Sequence, residues 1–135
     1  MSTVVQISEA VSLAFHGMGL LAGPERRMSV KDMAAATGAS EAHLAKVFQR
    51  LVKEGLVVST RGSRGGFALA RSPEEITLFQ IYLAMEGVPR ENTCLLRRTE
   101  CPFGSCIFGG LLADLTRQFV AYLQEKTLAD LRGRT

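Results

Sequence analysis

The sequence predicts a mainly α-helical chain that carries one small β-hairpin wing and ends in a long amphipathic helix. Three observations lead there. Apolar residues recur at three- and four-residue spacing in several separate stretches. Small polar residues and glycines stand at the borders of those stretches, where helix caps belong. Two short apolar segments flank a glycine-rich turn, which is how a hairpin reads.

Residues 3–22 form the first predicted helix, with Val4, Ile7, Val11, Ala14, Phe15, Met18 and Leu21 at helical spacing. Gly17 and Gly19 weaken its second half or let it pack closely on a neighbour. The run Ala22-Gly23-Pro24-Glu25 breaks it. Ser29 caps a second helix, Asp32 stands at its third position, and Gly38 ends it. Ser40 caps a third helix at once. Its buried stripe is Leu44, Val47, Phe48 and Leu51, and Gly55 closes it.

Leu56–Thr60 then reads as a strand, Arg61–Gly66 as the turn and Phe67–Ala70 as the return strand. Pro73, after Ser72, opens a fourth helix running roughly from Ile76 to Met85. Gly87, Pro89 and Asn92 break the pattern, and a cysteine-bearing loop follows. From Ser105 to about Glu125 the chain is helical again, with Phe108, Leu111, Leu112, Leu115, Phe119, Tyr122 and Leu123 along an apolar face. Such a helix spans on the order of 30 Å and needs something to pack against.

The chain has 135 residues, 47% of them hydrophobic and none of them Trp, so aliphatic side chains build its core. No apolar run reaches the ~20 residues of a membrane span. The apolar stretch Val11–Ala22 is short and no basic region precedes it, which argues against a signal peptide and for a cytoplasmic protein. Charge is uneven. Residues 1–73 carry nine Lys and Arg against five Asp and Glu, and residues 74–135 carry seven against eight. A basic nucleic-acid-binding half at 1–73 and a neutral sensor and self-association half at 74–135 would show this distribution. No phosphate loop, no nucleophile with an evident base and no paired carboxylates point to an enzyme.

Two short helices joined at Gly38 and followed by a basic hairpin describe a winged helix-turn-helix. The second helix of such a pair fits the DNA major groove and offers its N-terminal side chains to base edges. Here those are Ser40, Glu41, Ala42, His43 and Lys46, with Arg50 one turn later. The helix start suits a phosphate. The wing adds Arg61, Ser63 and Arg64 among glycines, a tip suited to a narrow, negative minor groove. The bland alternative is a solvated basic helix and an ordinary turn. The order of helix, turn, helix and basic wing favours DNA.

Cys94, Cys101 and Cys106 fall within thirteen residues, separated by six and four. An odd number of thiols argues against a disulfide framework. Thiolates suit an iron–sulfur cluster or zinc, and Arg97 and Arg98 favour their ionised form. Three leave the centre one ligand short. A carboxylate, a histidine or a partner subunit completes it, and Glu9 on the first helix is one candidate, against the ordinary reading of a solvated glutamate.

These features resemble the Rrf-two family of bacterial transcription regulators, whose members include iron–sulfur-cluster regulators and nitric-oxide-sensing repressors. The resemblance runs over VKDMAAATGASEAHLAKVFQRLVKEGLV, the wing STRGSRGGFALA, ITLFQIYLAMEG, the cysteine loop and the tail LLADLTRQFVAYLQEKTLADL. It implies a homodimer joined through the C-terminal helices, which assigns Leu111, Leu112, Leu115 and Phe119 to the dimer interface. It implies a [2Fe–2S] or [4Fe–4S] cluster on Cys94, Cys101 and Cys106. In some members a first-helix carboxylate is the fourth ligand, and Glu9 falls at about that place. Two features depart from the family. Its usual cysteine gaps are nearer five residues each, and His43 stands where many relatives have an aromatic. Two other readings stay open: a metal-free thiol sensor pairing Cys101 with Cys106, and an adaptor that uses the winged fold for protein contacts.

Overall fold

The computed structural model describes residues 7–24, 26–62, 65–87, 103–104 and 107–131. Over these the chain forms α1 (Glu9–Leu21), α2 (Val30–Thr37), α3 (Glu41–Lys53), β1 (Val57–Thr60), β2 (Gly66–Leu69), a 3₁₀ turn (Pro73–Glu75), α4 (Leu78–Glu86), α5 (Leu111–Glu125) and a closing 3₁₀ turn (Leu128–Leu131). The mainly helical class with one hairpin is therefore observed. No helix among the described residues is long and apolar enough to cross a membrane.

The polar caps place the helix pair. Ser29 and Asp32 form a reciprocal capping box at the start of α2: Asp32 N–H donates to Ser29 Oγ at 3.1 Å, and Ser29 N–H donates to Asp32 Oδ2 at 3.2 Å. Gly38 ends α2 in the left-handed region at φ 78°, which a β-carbon disfavours, and its N–H donates to Ala34 O. Ser40 then accepts from His43 N–H at 3.0 Å and starts α3.

Three element borders differ from expectation. The described α1 begins at Glu9, because Ser8 Oγ accepts from Val11 N–H and caps it there; residues 1–6 lie outside the described residues. Pro73 opens a separate 3₁₀ turn, and Ser72 makes no side-chain cap. The fourth helix starts instead at Leu78, where Thr77 and Gln80 form a second capping box. The last helix starts at Leu111 rather than Ser105. Gly109 and Gly110, the poorest helix formers after proline, precede it, and Phe108 lies in a turn.

β1 and β2 pair antiparallel from Val57 opposite Leu69 to Thr60 opposite Gly66. Met28, ahead of α2, adds an isolated bridge to Phe67, with bonds of 2.8 and 3.1 Å. A β-carbon at Gly66 would lie 2.6 Å from Met28 O, so this close approach requires glycine.

α1 is central. A β-carbon at Gly17 would sit 2.5 Å from the Phe48 ring of α3, and Phe48 meets Phe67 of the wing at 5.3 Å between centroids. The buried cluster joins Leu13, Met33, Phe48 and Leu51 to Ile76, Ile81 and Leu128, and so runs through both halves of the sequence on either side of residue 73. A smaller cluster of Val11, Tyr82 and Leu123 seats α5, with Phe119 edge-on to Tyr82 at 5.3 Å. The segment after α5 is tied to the start of α4 by Leu78 N–H to Lys126 O and Leu128 N–H to Ile76 O.

Candidate nucleic-acid interface and cysteine segment

The turn between α2 and α3 is held by its own side chains. Thr37 Oγ1 donates to Met33 O at 2.8 Å and accepts from Ala39 N–H at 3.2 Å. This fixes how α3 leaves α2. Leu44, Val47, Phe48 and Leu51 then bury one side of α3. Burial of such side chains contributes about 1.5–3 kcal/mol each relative to exposure, so the rotation of α3 about its axis is firmly set.

That rotation decides which side chains face outward. Ala42, Lys46, Gln49 and Lys53, at i, i+4, i+7 and i+11, are exposed and form the centre of the free face. Ser40 and Glu41 are exposed at its start. His43 and Arg50 share a different flank. His43 Nδ1 lies 3.5 Å from Glu9 Oε1 of α1, and Arg50 Nε donates to Ala84 O of α4 at 2.8 Å. The expected stripe of His43, Lys46 and Arg50 is thus split between the free face and the flank turned toward α1 and α4. Gln49 and Lys53 share this exposed face and were not among the candidates read from the sequence. Rotating by half a turn from the Leu44–Leu51 stripe would have found them.

In the wing, Arg61 is exposed at the end of β1. Ser63 and Arg64 lie outside the described residues. Of the turn's glycines, Gly65 and Gly66 are needed against the chain's own backbone. A β-carbon at Gly65 would come within 2.7 Å of Thr60 O.

Cys94, Cys101 and Cys106 also lie outside the described residues. Among the described residues no group of three His, Cys, Asp or Glu is placed to hold a metal. Glu9 is mostly exposed, and the one cation-forming group within ion-pair range of it among the described residues is His43. His16 behaves differently: its Nδ1 is 2.7 Å from Ser12 O of its own helix.

α5 presents two faces. Leu112, Thr116, Phe119 and Leu123 turn inward, with Leu112 only 5% exposed. Leu111, Leu115 and Tyr122 turn outward at 48%, 40% and 54% exposure. The four residues expected at a dimer interface therefore divide. Leu111 and Leu115 are exposed, whereas Leu112 is already covered within the chain and Phe119 packs on Tyr82. The single long apolar stripe read from the sequence is two stripes about 100° apart.

A family model described as "Rrf2: Iron-dependent Transcriptional regulator" matches residues 7–134. The chain is 32% identical over 113 residues to the HTH-type transcriptional regulator NsrR of Geobacillus kaustophilus, covering 79% of this chain and 74% of that protein. The solved structure of CymR, described as the global cysteine regulator of B. subtilis, matches with a TM-score of 0.76 at 28% identity, over 94% of this chain and 95% of that one. IscR of T. potens matches with a TM-score of 0.69 at 27% identity, over 94% and 85%. A helix pair with a hairpin wing and a family match across nearly its whole length make this chain a member of the Rrf2 family of transcriptional regulators.

Proposed function

We propose that this regulator binds double-stranded operator DNA as a homodimer and, as a repressor, reports redox, nitric-oxide or iron–sulfur status through a cysteine-ligated iron–sulfur cluster. One observation carries the DNA part. The apolar side of α3 is buried, and its free face is polar and basic, with Lys46, Gln49 and Lys53 in line beside Ala42. Such a face suits base edges and phosphates. Ser40 and Glu41 at the helix start and Arg61 of the wing extend it, and Ser63 and Arg64, which lie outside the described residues, are proposed as further contacts from the sequence. In this reading Arg50 acts mainly by holding α3 on α4.

Leu111 and Leu115, joined by Tyr122, are the surface for a second copy. Pairing along α5 would set the two copies of α3 about one DNA turn apart on a pseudo-palindrome. Residues 1–73 then serve as the reading part and 74–135 as the sensing and pairing part.

The donor set of Cys94, Cys101 and Cys106 fits an iron–sulfur centre by its chemistry, three soft thiolates in a short span. Glu9 is the candidate for the remaining position. When bound, such a centre supplies a group whose charge and integrity respond to oxidants, nitric oxide and iron supply. The likeness to NsrR and IscR supports it. The likeness to CymR supports the second reading, a metal-free sensor using Cys101 and Cys106.

Anaerobic purification with iron, sulfide and visible-absorbance measurement separates the two. Bound iron with a charge-transfer band, lost in Cys94→Ala with Cys101→Ala while the fold survives, supports the cluster. Iron-free protein whose DNA affinity follows thiol oxidation supports the second reading. Salt-dependent binding to a selected operator tests the DNA part, and its absence removes it.

A further inference from the structure

The end of α1, the base of the wing and the 3₁₀ turn after it line a cavity of about 290 Å³. No residue of α3, α4 or α5 lines it, so it is separate from the free face of α3 and from the outer stripe of α5. Two arginines from distant parts of the sequence, Arg26 and Arg71, share it with an apolar wall. We infer that this cavity binds a small organic oxyanion, with its carboxylate or phosphate head on the arginines and a short aliphatic body against the wall. The inference goes beyond the DNA-binding and sensing readings and depends on neither.

The fold explains how the arginines meet. The Met28–Phe67 bridge lays the segment ahead of α2 alongside β2. Arg26, two residues before Met28, thereby reaches the same cavity as Leu69, two residues after Phe67, and Arg71 follows Leu69 closely. Among the described residues neither arginine has an ion-pair partner. Glu74 is the one carboxylate in the lining, and it already has an interaction of its own. Two guanidiniums against one carboxylate leave the lining net positive. The guanidinium fork matches a carboxylate or a phosphate in geometry as well as in charge. Ser72 adds a hydroxyl that is not spent on capping the 3₁₀ turn.

The other part of the lining decides against a bare inorganic ion. Leu21, Leu69 and Pro73 are apolar, and Leu21, at 2% exposure, belongs to the core and gives the site a fixed floor. Size sets the other limit. At ~30 Å³ per water the cavity equals roughly ten waters, which suits a ligand of about ten non-hydrogen atoms and is too small for a nucleotide.

The test uses the full chain and isothermal titration calorimetry at one ionic strength. The probes are hexanoate, butyl phosphate, inorganic phosphate and 1-hexanol. Hexanoate, butyl phosphate or both should bind with a Kd of about a millimolar or below, at least about tenfold more tightly than inorganic phosphate and 1-hexanol. Hexanoate alone assigns a carboxylate head, butyl phosphate alone a phosphate head, and both a site for either. Arg26→Ala and Arg71→Ala should each weaken binding about tenfold, the loss expected for one charge-assisted contact. Both side chains are exposed, so these variants keep the core. Ala68→Leu, which takes up cavity space, should weaken binding at least about threefold. Lys46→Ala, outside the cavity, should leave it unchanged.

The proposal fails if neither organic anion binds, if inorganic phosphate binds as well as they do, or if 1-hexanol matches hexanoate. It also fails if both arginine variants bind the anions as the wild type does. Should neither anion bind while both arginine variants weaken operator binding with a shallower salt slope, the arginines are DNA-phosphate contacts and the cavity is no ligand site. The DNA-binding reading would survive that outcome. Organic anions that bind to a chain with no affinity for DNA would leave this site standing and remove that reading.

Discussion

α3 and α5 are built alike and finished differently. Each is amphipathic, and each buries one side inside the chain: Leu44, Val47, Phe48 and Leu51 in α3, and Leu112, Thr116 and Leu123 in α5. The difference lies in what the rest of each helix exposes. α3 shows Lys46, Gln49 and Lys53 to solvent, whereas α5 shows Leu111, Leu115 and Tyr122. Once a helix has satisfied its own fold, whatever it still exposes is free to serve a partner. A cationic polar face matches a phosphate-bearing one, and an apolar face that remains uncovered matches another apolar face. In the proposed homodimer a second copy of α5 would supply that face by symmetry.

The largest effect should come from breaking α5. Leu115→Asp places a charge in the middle of the outer stripe and leaves the inner stripe untouched. Self-association should weaken at least about a hundredfold by sedimentation analysis, with the helical content unchanged, because an unpaired charge in an apolar interface is strongly disfavoured. Operator affinity should fall with it. A Leu115→Asp chain that stays dimeric would place the interface elsewhere. Next comes Lys46→Ala on α3. It should lower operator affinity about tenfold, and a phosphate contact would also reduce the salt slope by about one ion. It should leave sedimentation unchanged. Equal loss for every DNA sequence would make Lys46 a phosphate contact, and sequence-dependent loss a base contact.

The two faces were not equally legible in the sequence. The elements themselves were, because their signals are local. Ser29 and Ser40 start α2 and α3 by accepting backbone N–H groups on their side-chain oxygens, Gly38 ends α2, Gly55 follows the Glu54 cap of α3 in the left-handed region, and the Leu44–Leu51 spacing fixes the side of α3 that is buried. What periodicity cannot give is which of two apolar stripes turns inward. On α5, Leu112 and Phe119 look the same as Leu111 and Leu115 until α4 and Tyr82 are in place. On α3, the contacts of His43 with Glu9 of α1 and of Arg50 with Ala84 of α4 cannot be seen until those helices are in place. These are tertiary facts. Pro73 misled for a related reason: it is a good first residue for any helical turn, and the Thr77–Gln80 box further on decides where the α-helix begins. The three thiols were legible as chemistry only, since a cluster's geometry depends on how the loop folds around it.

α1 supports both helices, and it allows a test that should disturb neither face. Gly17 lets α1 lie against Phe48, and Val11 of the same helix sits with Tyr82 and Leu123 under α5. Gly17→Ala inserts a methyl where the Phe48 ring stands. Overpacking costs about 1–3 kcal/mol, and alanine returns up to ~1 kcal/mol in helix propensity. A net loss of about 1–2 kcal/mol should appear in chemical denaturation. Operator affinity and self-association of the folded fraction should be preserved. A stabilised Gly17→Ala would mean that the Phe48 ring yields freely and that α1 does not fix the position of α3.

The smallest effect should come from Lys126, a cation at the end of the apolar helix. Its ammonium lies over the Tyr122 ring at 5.7 Å from the centroid. Its backbone carbonyl, which accepts from Leu78 N–H, is independent of the side chain. Lys126→Ala removes one half-exposed cation–π contact, worth about 0.5–1 kcal/mol, and leaves the tie to α4 in place. Operator affinity should change less than about twofold and the salt slope not at all, although the charge removed is the same as in Lys46→Ala. A loss at Lys126 as large as that at Lys46 would mean that the cationic surface extends onto α5. The division of labour between the two helices would then fail, because net charge rather than the chemistry of a particular face would be setting DNA affinity.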